Sequence, residues 1–203
     1  MITQRLQGWA RGIARKVAQI FTGLPFITPN ILTLFGFVLN AIVAYLLATQ
    51  HLVWGGVMML FAGLFDMLDG ALAKITNQVT DFGGFLDSVV DRYSEAVILF
   101  GMLLYYYQEP NNKGLVEIVL LYTILVGSMM ISYARSRAGM LGIANEVGLL
   151  ARPERIILLG IGLLAPAILL DPVLWILAIG TQVTAIQRIF YVYQVTHGKK
   201  QPK

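Results

Sequence analysis

The chain has no cysteine among its 203 residues, which excludes disulfides and thiolate metal ligands. Histidine is nearly missing too: His51 and His197 are the only two, and each sits where a hydrophobic run ends. Charge is also scarce. Asp, Glu, Lys and Arg make up 13% of the residues, about half of the roughly 25% usual in soluble domains. There is no fixed-period repeat and no low-complexity tract. Together these shortages exclude an ordinary soluble enzyme, a disordered segment and a fibrous protein. What remains is apolar, with 57% hydrophobic residues and a mean hydropathy of +0.71. The expected class is an all-α, polytopic membrane protein. Six spans of about 20 residues each would use up the length, making residues 1–203 one membrane domain without a separate soluble part.

Hydrophobic runs place the six spans near 31–50, 52–76, 85–107, 115–137, 155–170 and 172–197. Turn chemistry separates them. Pro25 and Pro29-Asn30 precede the first, Gly83-Gly84 the third, Glu109-Pro110-Asn111-Asn112-Lys113-Gly114 the fourth, and Asp171-Pro172 divides the fifth from the sixth. Residues 1–21 do not read as a cleavable signal peptide. Arg5, Arg11, Arg15 and Lys16 alternate with Leu6, Trp9, Ile13, Val17 and Ile20 at three- and four-residue steps. The pattern predicts an amphipathic helix on an anionic membrane surface; a disordered basic leader is the plainer alternative.

With both termini in the cytoplasm and six spans, every Lys and Arg except Lys113 falls on the cytoplasmic side or at a cytoplasmic helix end. That bias explains the positive charge as a topology signal, and no nucleic-acid partner is expected. The expected location is the plasma membrane of a prokaryote, with the charged side facing the cytoplasm.

Two spans carry carboxylates. The second turns from an apolar run into Asp66-Met-Leu-Asp69-Gly70, and the third opens with Asp87 and Asp91, followed by Arg92 and Glu95. Each carboxylate placed in a bilayer costs about 2.5–3.5 kcal/mol even on the lenient insertion scale. Spacings of three and four put each pair on one helix face, and the short Thr76–Gly84 linker predicts antiparallel neighbours with the pairs at similar depth. Four converging carboxylates repel one another unless cations compensate them. Oxygen-only ligation selects Mg²⁺ or Mn²⁺, with Ca²⁺ as a further option, and four carboxylates suit two such ions. The bland reading is loop-end charges reaching for water. Gly70 and Ala73 let a ligand approach the helix backbone closely, or simply allow helices to pack.

These residues spell Asp66-x₂-Asp69-Gly70-x₂-Ala73-Lys74-x₈-Gly83-x₃-Asp87-x₃-Asp91. The pattern resembles the signature of the CDP-alcohol phosphotransferases, departing from it only at Lys74, where that family has Arg. Thr28-Pro29-Asn30-x-Leu32-Thr33-x₂-Gly36 also resembles the family's segment leading into its first helix. The resemblance implies transfer of a substituted phosphate from a CDP-linked alcohol to an acceptor hydroxyl, with CMP leaving. It implies metal ligation by Asp66, Asp69 and Asp87, and a general base at Asp91 that also touches a metal. The donor nucleotide would be bound by Asn30, Thr33, Asp69, Gly70, Ala73, Lys74 and Gly83. A homodimer is implied as well. Lys in place of Arg offers the phosphate one compact charge rather than a two-pronged grip.

For the acceptor, Ser132-Tyr133-Ala134-Arg135-Ser136-Arg137-Ala138-Gly139 is expected as a cytoplasmic loop after span four. Arg152-Pro153-Glu154-Arg155 opens span five, and Arg188 interrupts span six. Arg135, Arg137 and Arg152 have a plain explanation in topology; Arg155 and Arg188, within or at the edge of helices, are harder to explain that way. Clustered Arg suits an acceptor that itself bears a phosphate. These segments resemble the family branch that makes phosphatidylinositol phosphate from inositol 1-phosphate, which implies acceptor-phosphate contacts from Arg135, Arg155 and Arg188, with Arg137 and Arg152 as further candidates. Glycerol 3-phosphate is the rival acceptor, but Gly36 stands where the glycerol-phosphate branch carries an Arg. A cation transporter is the alternative from another class. It would need polar residues continuing outward from Asp66, yet the helix reads Phe65, Leu64, Gly63, Ala62, Phe61, Leu60. A catalytically inert scaffold would have no reason to keep four Asp.

Overall fold

A computed structural model describes residues 28–110 and 114–198. The amphipathic helix expected over 1–21 lies outside these residues. Among the described residues there are six helices and no strand: α1 Pro29–Ala48, α2 Leu52–Ile75, α3 Asp81–Tyr107, α4 Leu115–Met140, α5 Arg152–Leu164 and α6 Pro166–Gly198. Four of them, α1, α2, α4 and α6, are long and apolar enough to cross a membrane. Helix α3 has the length, but its first half carries Asp81, Asp87, Asp91, Arg92 and Glu95. Helix α5 has 13 residues, about 20 Å, short of a hydrocarbon core of about 30 Å.

Capping chemistry sets the boundaries. Thr28 caps α1, its hydroxyl accepting from the Ile31 N–H at 3.4 Å, and Pro29 occupies a first-turn position where its missing N–H costs nothing. The helix therefore starts two residues earlier than the hydrophobic run. Helix α2 stops because Asn77 takes a left-handed conformation (φ 55°), which lets the Gln78 N–H return to the Ala73 carbonyl at 2.9 Å. Gly142 (φ 70°) ends α4 in the same way, with Ile143 N–H on the Ala138 carbonyl at 3.0 Å.

Three sequence expectations need correction. Gly83 and Gly84 do not precede the third helix but lie in its first turn, because Thr80 accepts the Gly83 N–H on its hydroxyl (3.0 Å) and the Gly84 N–H on its carbonyl (3.1 Å). Ser132 to Gly139 is not a loop but the last two turns of α4. The break between the last two helices falls at Ala165-Pro166 rather than at Asp171-Pro172, and Pro172 lies inside α6. Proline is tolerated at a helix start, where no donor is needed. Pro166 takes that role, and α6 absorbs one lost backbone bond at Pro172.

The chain divides into two compact units, Met1–Gly101 and Met102–Lys203. In the first, α1 packs along α2. Leu32 meets Leu68 and Leu72 in a buried cluster flanked by Phe65, Ala71 and Ile75. That contact fixes the carboxylate-bearing end of α2 against the start of α1. Gly101 brings α3 onto α1 so closely that a Cβ there would stand 2.7 Å from Ala44 Cα. In the second unit, α6 is the spine, packed by α4 and α5. Gly127 permits the α4 contact, since a Cβ would lie 2.7 Å from Thr181 Cβ, and Gln182 donates to the Thr123 carbonyl at 2.9 Å.

Candidate active site

Asp66 from α2 and Asp87 and Asp91 from α3 converge in the first unit. One carboxylate oxygen from each lies within 4.8 Å of the other two, and all three side chains are half-buried. The spacings of three and four make each helix present its carboxylates on one face, and the tight Asn77–Thr80 linker sets the two faces together. Arg92 lies beside this group, 3.9 Å from Asp91, and also donates to the Ser88 carbonyl one turn back.

Asp69 is not one of the three. It is buried, 6% exposed, and both its oxygens have donors: Thr33 Oγ1 at 2.7 Å on Oδ2, and the Gly70 N–H at 2.5 Å on Oδ1. It remains within electrostatic range of Asp87 and Asp66. Thr33 reaches it because α1 and α2 are joined by the Leu32–Leu68–Leu72 cluster one residue away on each helix.

An open cleft of about 170 Å³ reaches these carboxylates at Asp69 and Asp87. It is lined by all seven residues expected at the donor nucleotide: Asn30, Thr33, Asp69, Gly70, Ala73, Lys74 and Gly83, with Asp87 among its other walls. A Cβ on Gly70 would meet nothing within 4 Å, so a side chain there would project into the open cleft. A Cβ on Gly83 would crowd Thr80 Oγ1 (3.0 Å) and Asn30 Oδ1 (3.3 Å). Gln78, Val79, Thr80 and Gly84 also line the cleft. The sequence reading missed these because the helix end at Asn77, which folds the linker over the cleft, carries no motif.

In the second unit the three predicted arginines differ in kind. Arg188 is 4% exposed; its Nε donates to the Val147 carbonyl at 3.0 Å and its Nη1 to the Ile131 carbonyl at 2.7 Å. Asn145 donates to the Arg188 carbonyl at 3.2 Å, and Leu150 N–H to Thr184 at 3.2 Å, so the loop between α4 and α5 is strapped to α6. Arg155 is equally buried and donates to the Leu150 carbonyl at 3.1 Å. Arg135 is exposed, 3.4 Å from the exposed Glu146. Arg188 lies within electrostatic range of Arg135, Arg155 and Glu146. Arg137 turns toward the Met140 sulfur, and Arg152 begins α5.

The family profile described as CDP-alcohol phosphatidyltransferase matches residues 26–190. The chain belongs to the CDP-alcohol phosphatidyltransferase family. An archaetidylinositol phosphate synthase from Pyrococcus horikoshii is 39% identical over 165 residues, covering 81% of this chain and 82% of that protein. A phosphatidylinositol phosphate synthase from Corynebacterium glutamicum is 38% identical, covering 89% and 84% respectively. Among solved structures, the phosphatidylinositol phosphate synthase of Mycobacterium tuberculosis with CDP-DAG bound superposes with a TM-score of 0.81 at 28% identity, covering 89% of this chain and 94% of that one. The same enzyme in complex with manganese and citrate gives 0.81 at 29% identity, covering 89% and 88%.

In a CDP-alcohol phosphatidyltransferase the donor set of this site has a direct meaning. Asp66, Asp87 and Asp91 offer only carboxylate oxygens, one from each within 4.8 Å of the others, a donor set suited to a hard divalent ion. The residues present therefore fit such an ion.

Proposed function

We propose that this transferase moves a phosphatidyl or similar group from CDP-diacylglycerol or a related CDP-lipid to a hydroxyl of inositol 1-phosphate, releasing CMP, in phospholipid synthesis. The observation that carries the reading is the convergence of Asp66, Asp87 and Asp91 beside a cleft lined by the seven donor-site residues. Two divalent cations, Mg²⁺ or Mn²⁺, are proposed, with Asp66, Asp69 and Asp87 as their ligands and Asp91 touching one. When bound, they neutralise the pyrophosphate and the charge that builds on the leaving phosphate.

The chain's own residues supply the rest. Lys74 faces the donor cleft and pairs with the CMP phosphate as a point charge. Asp91 accepts the proton of the acceptor hydroxyl. That oxygen then bonds to the lipid-bearing phosphorus while the bond from phosphorus to the bridging oxygen breaks, and CMP departs with the bridging oxygen. Arg135, Arg155 and Arg188 hold the acceptor's own phosphate, with Arg137 and Arg152 as further candidates. Two things favour a phosphorylated inositol: two further guanidinium groups, Arg135 and Arg155, within electrostatic range of Arg188, and the relatives named as synthases of inositol phosphate lipids.

The proposed setting is a homodimer in a prokaryotic plasma membrane, one domain over the whole chain, both termini cytoplasmic. Six crossings are proposed, the third made by α3 and the fifth over residues 155–170, running past the end of α5 into the start of α6, and the active site faces the cytoplasm. A membrane assay of CMP release from CDP-diacylglycerol with a panel of acceptors tests the reading. Inositol 1-phosphate should be the best acceptor. Preference for free inositol or serine overturns the phosphate pocket, and preference for glycerol 3-phosphate keeps that pocket but discards inositol.

A further inference from the structure

The donor cleft holds three side chains whose hydrogen-bonding groups meet no partner among the described residues: Asn30, Lys74 and Gln78. Gln78 is the one that no family motif covers. Its backbone is fixed, since its N–H is bound to the Ala73 carbonyl at 2.9 Å and Asn77 before it turns left-handed. Its side chain is exposed, so nothing in the fold needs its carboxamide.

Asp87, a member of the carboxylate triad, lines the cleft. Thr80, which caps the start of α3 seven residues earlier and so lies about 10 Å along the helix from Asp87, lines it too, as do Asn30 and Gln78. Thr80 and Asn30 both stand close to Gly83. A nucleotide whose phosphates sit by Asp87 and Lys74 extends its base toward the linker. There a primary carboxamide offers a donor and an acceptor side by side, the complement of cytosine's amine and its neighbouring ring nitrogen and carbonyl.

Building on the CDP-lipid reading, we infer that Gln78 contacts the cytosine base and contributes to donor affinity through the base rather than through the phosphates. The test titrates full-length protein in detergent with Mg²⁺, using CMP and, separately, ribose 5-phosphate, which keeps the sugar and phosphate but lacks the base. Gln78→Met preserves length and removes the hydrogen bonds. It should weaken CMP binding about five- to tenfold, the value of one or two neutral hydrogen bonds, and leave ribose 5-phosphate unchanged. Gln78→Ala should behave alike. Unchanged CMP binding, or equal weakening of both ligands, overturns the inference. Turnover of CDP-diacylglycerol by the unmutated protein is measured alongside. Its absence would remove the proposed function, whereas normal turnover with no effect of Gln78→Met would remove only the role of Gln78.

Discussion

Replacing Thr33 by Val removes one hydroxyl while nearly preserving the volume of a buried side chain. In the structure that hydroxyl lies 2.7 Å from Asp69 Oδ2 and 3.2 Å from the Pro29 carbonyl. It has one proton, and the shorter, charge-assisted contact claims it. A hydrogen bond to a charged group contributes about 1.5–3 kcal/mol, and a buried carboxylate oxygen left facing a methyl group forfeits that amount. Asp69 then keeps only the Gly70 N–H, a bond to the next residue that holds the carboxylate without fixing its direction toward the cleft. If Asp69 ligates metal and borders the donor, Thr33→Val should lower kcat/KM for the CDP-lipid by roughly ten- to hundredfold, at about 1.4 kcal/mol per factor of ten. It should also raise the Mn²⁺ concentration needed for half-saturation. The assay is CMP release across a Mn²⁺ titration, paired with Mn²⁺ binding followed by electron paramagnetic resonance on the lipid-free protein. Thr33→Ser retains the hydroxyl and should recover most of both losses. A folded Thr33→Val protein within twofold of the unmutated one in both turnover and Mn²⁺ half-saturation would refute the reasoning.

Excess EDTA should abolish turnover and Mg²⁺ or Mn²⁺ restore it, because the carboxylates alone repel a pyrophosphate; full activity in the chelator would sink the metal assignment. Asp91→Asn should cost roughly 10²–10⁴-fold in kcat, the usual share of a general base, with CMP binding by calorimetry largely kept. Loss of binding equal to that in Asp66→Asn would instead make Asp91 chiefly a ligand. Arg135→Ala should raise the KM for inositol 1-phosphate about ten- to hundredfold and leave the CDP-lipid KM nearly unmoved, as initial rates at varied acceptor and donor will show. Arg188→Ala should in addition lower thermal stability, because the Val147 and Ile131 carbonyls lose their donor. A melting temperature equal to that of Arg135→Ala would contradict the strapping role.

Local regularities carried much of this protein in its sequence. Apolar runs mark the four helices long and apolar enough to cross a membrane, because every residue of such a helix must satisfy lipid or a helical neighbour. The spacings Asp66-x₂-Asp69 and Asp87-x₃-Asp91 place carboxylates on single faces by the 3.6-residue period alone. Caps such as Thr28-Pro29 and Gly142 depend on the conformational preference of one or two residues, and those too are written locally. Where two local signals compete, the chain cannot decide by itself. Pro166 and Pro172 are equally good helix starts in isolation, and the choice follows the packing of α5 on α6, with Gly162 against Val173. Beyond the carboxylate pairs joined by one short linker, contacts between distant residues were hidden. Thr33 and Asp69 are 36 residues apart, and Arg188 and Ile131 are 57 apart. Which oxygen of Asp69 finds a hydroxyl, and whether a buried guanidinium serves a ligand or the backbone, depends on helix crossings that residue spacing does not encode. Tertiary packing makes those choices, because a buried polar group takes whichever partner the completed fold brings within 3 Å.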